Sequence, residues 1–271
     1  MLRPGEAERF LAILGIDSKK PGIDELAELV RAHLLRIPFE NISKLFRWRC
    51  KGVAGLVPFS EYLDGIEQHH FGGTCYTINF HLHQLLVALG YDVLLCGADM
   101  SRPDVHLVNI VRVGGREFLV DAGYAAPFLA PMPLDLPTDY VLSLGHDRYI
   151  LSPRDAQGRS RLSLLRDGIP RHGYRVTPAP RTVDEFATVI ADSFRPGATF
   201  LNSVLLTRFG DAYSFVLHNL TSIESRGDTV ISSALRSVDE LIEAIEREFG
   251  IAASVSRAAL EGLSMNMDIW S

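Results

Sequence analysis

Phe71-Gly72-Gly73-Thr74-Cys75-Tyr76 divides the chain. A cysteine follows a Gly-Gly-Thr turn and opens an apolar run that continues to Leu89 and stops at Gly90. Ile78, Leu82, Leu85, Leu86 and Leu89 recur three and four apart, which predicts a helix with one buried face. Thr74 is expected at the N-cap, its hydroxyl oxygen accepting a bond from a first-turn N–H. Cys75 then falls in the first turn, where backbone N–H groups and the positive end of the helix dipole favour a thiolate over a thiol. A thiol held on a glycine turn at a helix start is a candidate nucleophile. The alternative is a buried cysteine that only packs.

Upstream of this stretch the first ninety or so residues read as helical. Glu8 to Leu14 stops at Gly15, and Ile23 to Leu34 repeats apolar residues at helical spacing. The second helix must end before Pro38, because the residue preceding a proline is pushed out of the helical region. Arg36-Ile37-Pro38-Phe39-Glu40-Asn41-Ile42 is therefore a turn that carries an aromatic, a carboxylate and an amide together. These either cap and staple neighbouring helices or line a site.

Downstream of Gly90 the pattern changes to short strands, beginning with Tyr91 to Cys96. Val105 to Val113 and Arg116 to Ala122 flank Gly114-Gly115, a strong hairpin signal. With the glycines as the loop, Val113 pairs with Arg116, Val111 with Phe118 and Asn109 with Val120, on a face expected to meet a core. Arg112 then opposes Glu117, a favourable cross-strand pair, and Ile110 opposes Leu119 on the other face. Extending the register puts Asp121 opposite Val108. His106, two residues before Val108, becomes a diagonal neighbour of Asp121, roughly 7–8 Å away at the backbone and within side-chain reach.

Ala122 to Leu134 is rich in proline and small residues and reads as an ordered loop leaving a strand, a usual place for binding residues. Further strands are expected at Tyr149–Leu151, Arg161–Leu165, Gly173–Val176, Leu201–Leu206, Tyr213–Leu220 and Thr229–Ile231. Thr182-Val183-Asp184-Glu185 and Ser237-Val238-Asp239-Glu240 each open a capping box. The first starts a short helix to Phe194, and the second a helix that turns Leu241, Ile242, Ile245 and Phe249 inward and ends at Gly250. Helices first, a β-rich middle and a mixed end predict an α+β protein of two or three packed domains.

With 271 residues, 47% of them hydrophobic and 22% charged, the chain can bury a large core. A net charge of −6 and no basic patch argue against nucleic acid and against an anionic membrane surface. Three widely spaced cysteines with no CxxC pair argue against a disulfide framework or a zinc site and for a reducing compartment. MLRPGEAERFLAILGI is interrupted by charge and proline, so neither a signal peptide nor a membrane span is expected there and the compartment is read as cytoplasmic. His81 and His83 point to different faces of their helix and cannot share a metal. His69-His70 are expected to decorate a loop, and Cys50 and Cys96 to pack. G-x-S-x-G, G-x-x-x-x-G-K-[ST] and G-x-G-x-x-G are all missing, so serine-hydrolase, P-loop and dinucleotide readings lose their usual support.

A thiolate nucleophile wants an adjacent imidazole, and the imidazole wants a carboxylate to hold its tautomer. The hairpin supplies the second pair. Cys75, His106 and Asp121 together suit acyl transfer, with attack on a thioester or amide carbonyl and hand-over to water or an amine. Only the approach of Cys75 to His106 has no support from local spacing.

Arg36-Ile37-Pro38-Phe39-Glu40-Asn41-Ile42, then Gly72-Gly73-x-Cys75-x-x-x-Asn79, His106-Leu107-x-x-x-Val111 and Val120-Asp121-Ala122-Gly123-Tyr124 resemble, in order, the motifs of the arylamine N-acetyltransferases. The resemblance covers the first half of the chain. It implies a helical bundle over residues 1–90 carrying the nucleophile, an antiparallel β-barrel over 91–200 carrying His and Asp, and an α/β lid over 201–271. It implies a cysteine-protease-like Cys75–His106–Asp121 triad and ping-pong transfer of an acetyl group from acetyl-CoA, as co-substrate, to an arylamine, arylhydrazine or similar amine. No metal is implied. The expected partners are the small-molecule amine and an acyl-CoA, with the protein acting alone or as a homodimer. Phe39 and Tyr124 match pocket-lining aromatics of that family, and Arg102 is the candidate to meet phosphates. Three positions depart from the family pattern: Phe71 stands for a usual arginine, Thr77 for a glutamate and Ala125 for a glycine. They border the pocket, so an amide synthase or thiol acyl-hydrolase with another acyl donor, or a binding protein that has lost catalysis, stays open as an alternative.

Overall fold

The computed structural model describes residues 2–263 and 265; the remainder of the expected 201–271 lid lies outside the described residues. Five helices come first: α1 Glu6–Leu14, α2 Ile23–Arg36, α3 Ile42–Lys51, α4 Phe59–His69 and α5 Cys75–Ala88. Gly15 closes α1 in the left-handed conformation, and α2 ends at Arg36, two residues before Pro38. Phe10, Leu14, Leu26, Leu63, Ile78, Leu82, Leu85 and Leu86 interlock in one apolar core. The buried stripe of α5 is the one its spacing predicts, except that Leu89 is only partly covered.

Between α2 and α3 the chain makes a two-residue strand, β1 Phe39–Glu40, where a turn alone was expected. It packs so closely on the cysteine loop that a Cβ at Gly72 would stand 1.8 Å from the Pro38 carbonyl oxygen. Only glycine allows that approach, and the Glu40 N–H uses it to donate to the Gly73 carbonyl at 2.9 Å.

Strands β2 Asp92–Asp99, β3 His106–Val113, β4 Arg116–Val120, β5 Met132–Pro133, β6 Tyr140–Leu144, β7 Asp147–Leu151, β8 Ser160–Arg166 and β9 Ile169–Val176 form one antiparallel sheet, ordered β5-β4-β3-β2-β9-β8-β7-β6. Residues from nearly every strand, including Met132 near one edge and Leu142 at the other, share a single core, so the sheet curls into a near-closed barrel. The β3–β4 register is the expected one, with Val113 opposite Arg116, Val111 opposite Phe118 and Asn109 opposite Val120. Arg112 Nε bonds Glu117 Oε1 at 2.7 Å across the strands. The expectation of a single buried face is corrected: Val108 and Ile110 are as buried as Leu107 and Val111. The barrel core takes one face of β3 and the helical side takes the other, so the strand is apolar on both faces.

The chain then runs through a 3₁₀ turn at Val183–Phe186, opened by the expected Thr182–Glu185 capping box, into helix α6 Ala187–Asp192. Strands β10 Leu205–Gly210, β11 Tyr213–His218, β12 Thr221–Arg226 and β13 Thr229–Ala234 make a second sheet, ordered β1-β10-β11-β12-β13. The strand expected at Leu201–Leu206 starts only at Leu205, because Asn41 binds the Phe200 and Ser203 carbonyls and the Leu205 N–H and holds that approach as a loop. Helices α7 Val238–Phe249 and α8 Ala253–Leu260 cover the second sheet, with Leu241, Ile242, Ile245 and Phe249 buried as expected. Among the described residues, no helix is long and apolar enough to cross a membrane, and no cluster of His, Cys, Asp and Glu could hold a metal.

Candidate active site

Cys75 is the first residue of α5 and is buried. Thr74 has the extended backbone of an N-cap residue (φ −99°, ψ −178°), but the expected side-chain cap is not made. The first-turn N–H groups of α5 are thus left uncapped beside the sulfur. His106 opens β3, and Asp121 follows the last residue of β4. His106 Nε2 donates to Asp121 Oδ2 at 2.8 Å, and the Cys75 sulfur lies near enough to the same imidazole to favour its charged form. The structure therefore brings the three residues together, His106 and Asp121 in a direct bond and Cys75 close by.

Asp121 is fully committed. Its Oδ1 accepts from Asn79 Nδ2 at 2.7 Å and from the Gly123 N–H at 3.0 Å, and its Oδ2 accepts from the Tyr174 hydroxyl at 2.8 Å in addition to His106. Burial opposes a charged His106, but the Asp121 carboxylate and then the Cys75 sulfur outweigh it and push the imidazole up to about 10. Gly123 has its own reason to be glycine, since a Cβ there would stand 2.8 Å from the Cys75 Cα.

Asn79, one turn after Cys75, is fully buried. Its Nδ2 also donates to the Leu107 carbonyl at 2.6 Å, and its Oδ1 accepts from the Ala122 N–H at 3.0 Å. This amide ties the cysteine helix to both strands of the hairpin and supplies the contact that local spacing lacked. Its signal was a lone polar residue on the apolar face of a helix. Tyr174 is 98% buried on β9, and nothing near it in sequence points to Asp121.

The cysteine opens on a cavity of about 370 Å³. Its walls include Lys44 from α3, Tyr76 from α5, Arg102 from the loop between β2 and β3, and Phe200 beyond α6. Phe39 packs against Phe200 with the rings tilted, centroids 5.7 Å apart, and Tyr124 lies 5.6 Å from the His106 ring; neither lines that cavity. The Tyr124 hydroxyl is bonded to His172 Nδ1 at 2.6 Å.

Glu40 caps the start of α3, whereas the Asn41 side chain makes no cap and bonds residues 200–205 instead. The Glu40 carboxylate accepts from the Ser43 N–H at 2.8 Å and the Gly72 N–H at 3.0 Å. Burial raises its pKa, against those donors and the nearby Arg47. Arg47 stands 5.6 Å from the Phe71 ring and is itself mostly buried. A cation from α3 thus already occupies the surroundings of Phe71. Ala125 sits at φ 59°, the left-handed region where a glycine would be unstrained.

Cys96 is buried and its thiol is pushed up to about 12 by burial, whereas Cys50, expected to pack, is exposed on the outer side of α3. His69 belongs to the last turn of α4, not to a loop, and packs on Phe46 and Phe71.

A family model described as N-acetyltransferase matches residues 22–258. Proansamycin X synthase of Amycolatopsis mediterranei (strain S699) is 31% identical over 134 residues, spanning 45% of this chain and 49% of that protein. The arylamine N-acetyltransferase of Mycolicibacterium smegmatis is 25% identical over 254 residues, 89% of this chain and 90% of that one. The structure of the Mycobacterium marinum arylamine N-acetyltransferase in complex with CoA is 20% identical and shares the fold, with a TM-score of 0.80 over 95% of this chain and 99% of that one. Fold and relatives define an acyltransferase. The chain belongs to the arylamine N-acetyltransferase family.

Proposed function

We propose that the protein moves an acetyl group from acetyl-CoA to an arylamine, arylhydrazine or similar amine by a ping-pong mechanism. The observation that carries this reading is Cys75 on the wall of the 370 Å³ cavity, with the bonded His106–Asp121 pair beside it. Cys75 gives its proton to His106 and its sulfur attacks the thioester carbonyl of acetyl-CoA. The tetrahedral oxyanion is met by the uncapped N–H groups at the start of α5. Collapse breaks the bond to the coenzyme A sulfur, which leaves with the proton from His106 and yields acetyl-Cys75. The amine then attacks the new thioester, His106 takes its proton, and the Cys75 sulfur is released with the amide product. Asp121 keeps His106 in the tautomer that faces the sulfur and steadies the imidazolium.

Arg102, at the cavity wall, is suited to meet coenzyme A phosphates, and the Mycobacterium marinum relative was solved with CoA. Phe39 and Tyr124 shape the pocket from behind, through Phe200 and His106. Residues 1–90 supply the nucleophile, 91–200 the base and carboxylate, and 201–271 the lid. A second reading, an amide-forming enzyme with another acyl donor, is favoured by the identity to the relative named as a synthase.

Initial rates measured against both substrates test the mechanism. Parallel double-reciprocal lines are expected, with kcat lowered about 10⁴-fold in Asp121→Asn, whose amide cannot hold His106 as the carboxylate does. Intersecting lines would contradict an acyl-enzyme route.

A further inference from the structure

Lys44 is 8% exposed and lines the same cavity as Cys75. Its ammonium donates to Ser193 Oγ at 2.8 Å and lies 4.0 Å from the centroid of the Phe194 ring. No carboxylate pairs with it among the described residues. Asp192, on the same cavity wall, is 3.0 Å from Arg195 instead. The other charged or titratable groups around it are Arg47 one turn along α3, Cys75 and Tyr76 at the start of α5, and Arg102 in the β2–β3 loop. Of these only the Cys75 sulfur can answer its charge with a nearby anion.

An ammonium taken out of water without a counter-ion is costly, and the cost falls when an anion arrives. Burial lowers Lys44 to about 8, and the Cys75 charge works against that fall. Acylation turns the sulfur into a neutral thioester, so Lys44 loses the anionic neighbour that answers its charge between the two half-reactions. The acceptor enters at that moment.

We propose that Lys44 sets acceptor specificity: in the acyl-enzyme its ammonium receives a carboxylate carried by the acceptor amine. The inference rests on the acyl-transfer reading above. Arg102 and Arg195 are better exposed and suit the phosphates of coenzyme A; the buried Lys44 lines the cavity wall beside Cys75. Sites built around a buried polar partner reject analogues that lack the matching group far more strongly than apolar pockets do.

The test follows the second half-reaction alone. Wild type, Lys44→Met and Lys44→Arg are acetylated with acetyl-CoA, freed of coenzyme A, and mixed with 4-aminobenzoate or its methyl ester while intact mass reports loss of the acetyl group. The two amines differ in basicity, so the readout is the change in their rate ratio between variants. The ratio favouring the carboxylate is expected to fall at least tenfold in Lys44→Met and to be kept in Lys44→Arg. In wild type it should decline as pH rises toward 9, as Lys44, lowered by burial, loses its proton, while Lys44→Arg should hold it to pH 9. A ratio unchanged in Lys44→Met, or independent of pH in wild type should that variant not fold, overturns the assignment. A Lys44-dependent gain with succinyl-CoA over acetyl-CoA, without one for 4-aminobenzoate, puts the carboxylate on the acyl group and also overturns it. Absence of any adduct on Cys75 removes the acyl-transfer reading itself, and the inference with it.

Discussion

Asn79 Nδ2 donates to Asp121 Oδ1 at 2.7 Å, so the helix that begins with Cys75 is bonded, one turn on, to the carboxylate that orients His106. A nucleophile and base carried on separate elements need such a brace, because a misplacement of about 1 Å can cost 10²-fold in rate. The same amide satisfies the Leu107 carbonyl and the Ala122 N–H.

Asn79→Ala is therefore expected to fail on two measures. Stability to urea should fall by at least about 2 kcal/mol, since several buried groups lose their partner. The rate of acyl transfer should fall about 10²-fold in protein that remains folded. A variant with lower stability but an unchanged rate would show that Asn79 holds the fold and does not align the site.

Phe71→Arg tests why the family's usual arginine can be absent. Phe71 is 2% exposed and the Arg47 guanidinium already lies over its ring. A second cation would be buried beside the first with only Glu40 and the half-exposed Glu61 to answer both. Thermal denaturation should show a loss of several kcal/mol in the single variant and recovery of part of it in Phe71→Arg/Arg47→Met. Equal stability of the single variant and the wild type would mean that the neutral residue was never required.

Two buried histidines give opposite pH dependences. His33 is fully buried, its ring nitrogens have no partner among the described residues, and burial lowers it to about 3. The folded state keeps it neutral while the unfolded chain protonates it near 6.5, so stability falls as pH drops below 6.5. His33→Leu should reduce the loss between pH 7 and pH 5 by about 2 kcal/mol, read from urea midpoints. His106 is raised, to about 10, so its contribution is complete below 6.5 and is lost as pH rises through 10. Acid sensitivity unchanged in His33→Leu would assign it to other groups.

Much of the site was legible because local geometry encodes it. Gly114-Gly115 fixed the register of the hairpin, and register alone made His106 and Asp121 neighbours. The glycine turn and the apolar spacing after it located Cys75 at a helix start. What spacing could not show were contacts between distant segments. Tyr174 reaches Asp121 from β9, Asn41 holds residues 200–205 from across the fold, and Lys44 meets Ser193 from α3. The strand at Thr221–Arg226 carries no apolar alternation to mark it, since Ile223 is its one apolar residue and only Ser225 is buried. Thr74 looked like a cap from its type, yet its hydroxyl does not cap α5, and the N–H groups stay available beside the sulfur.

Transfer by the proposed route requires the Cys75 sulfur to carry the acyl group. Mixing the protein with acetyl-CoA and measuring intact mass tests it directly. A single acetyl adduct of about 42 Da is expected from the covalent chemistry proposed, abolished in Cys75→Ala and discharged by an aromatic amine. An adduct that persists in Cys75→Ala, or none with any acyl-CoA in protein whose Cys75 is also inert to alkylation near neutral pH, would contradict it.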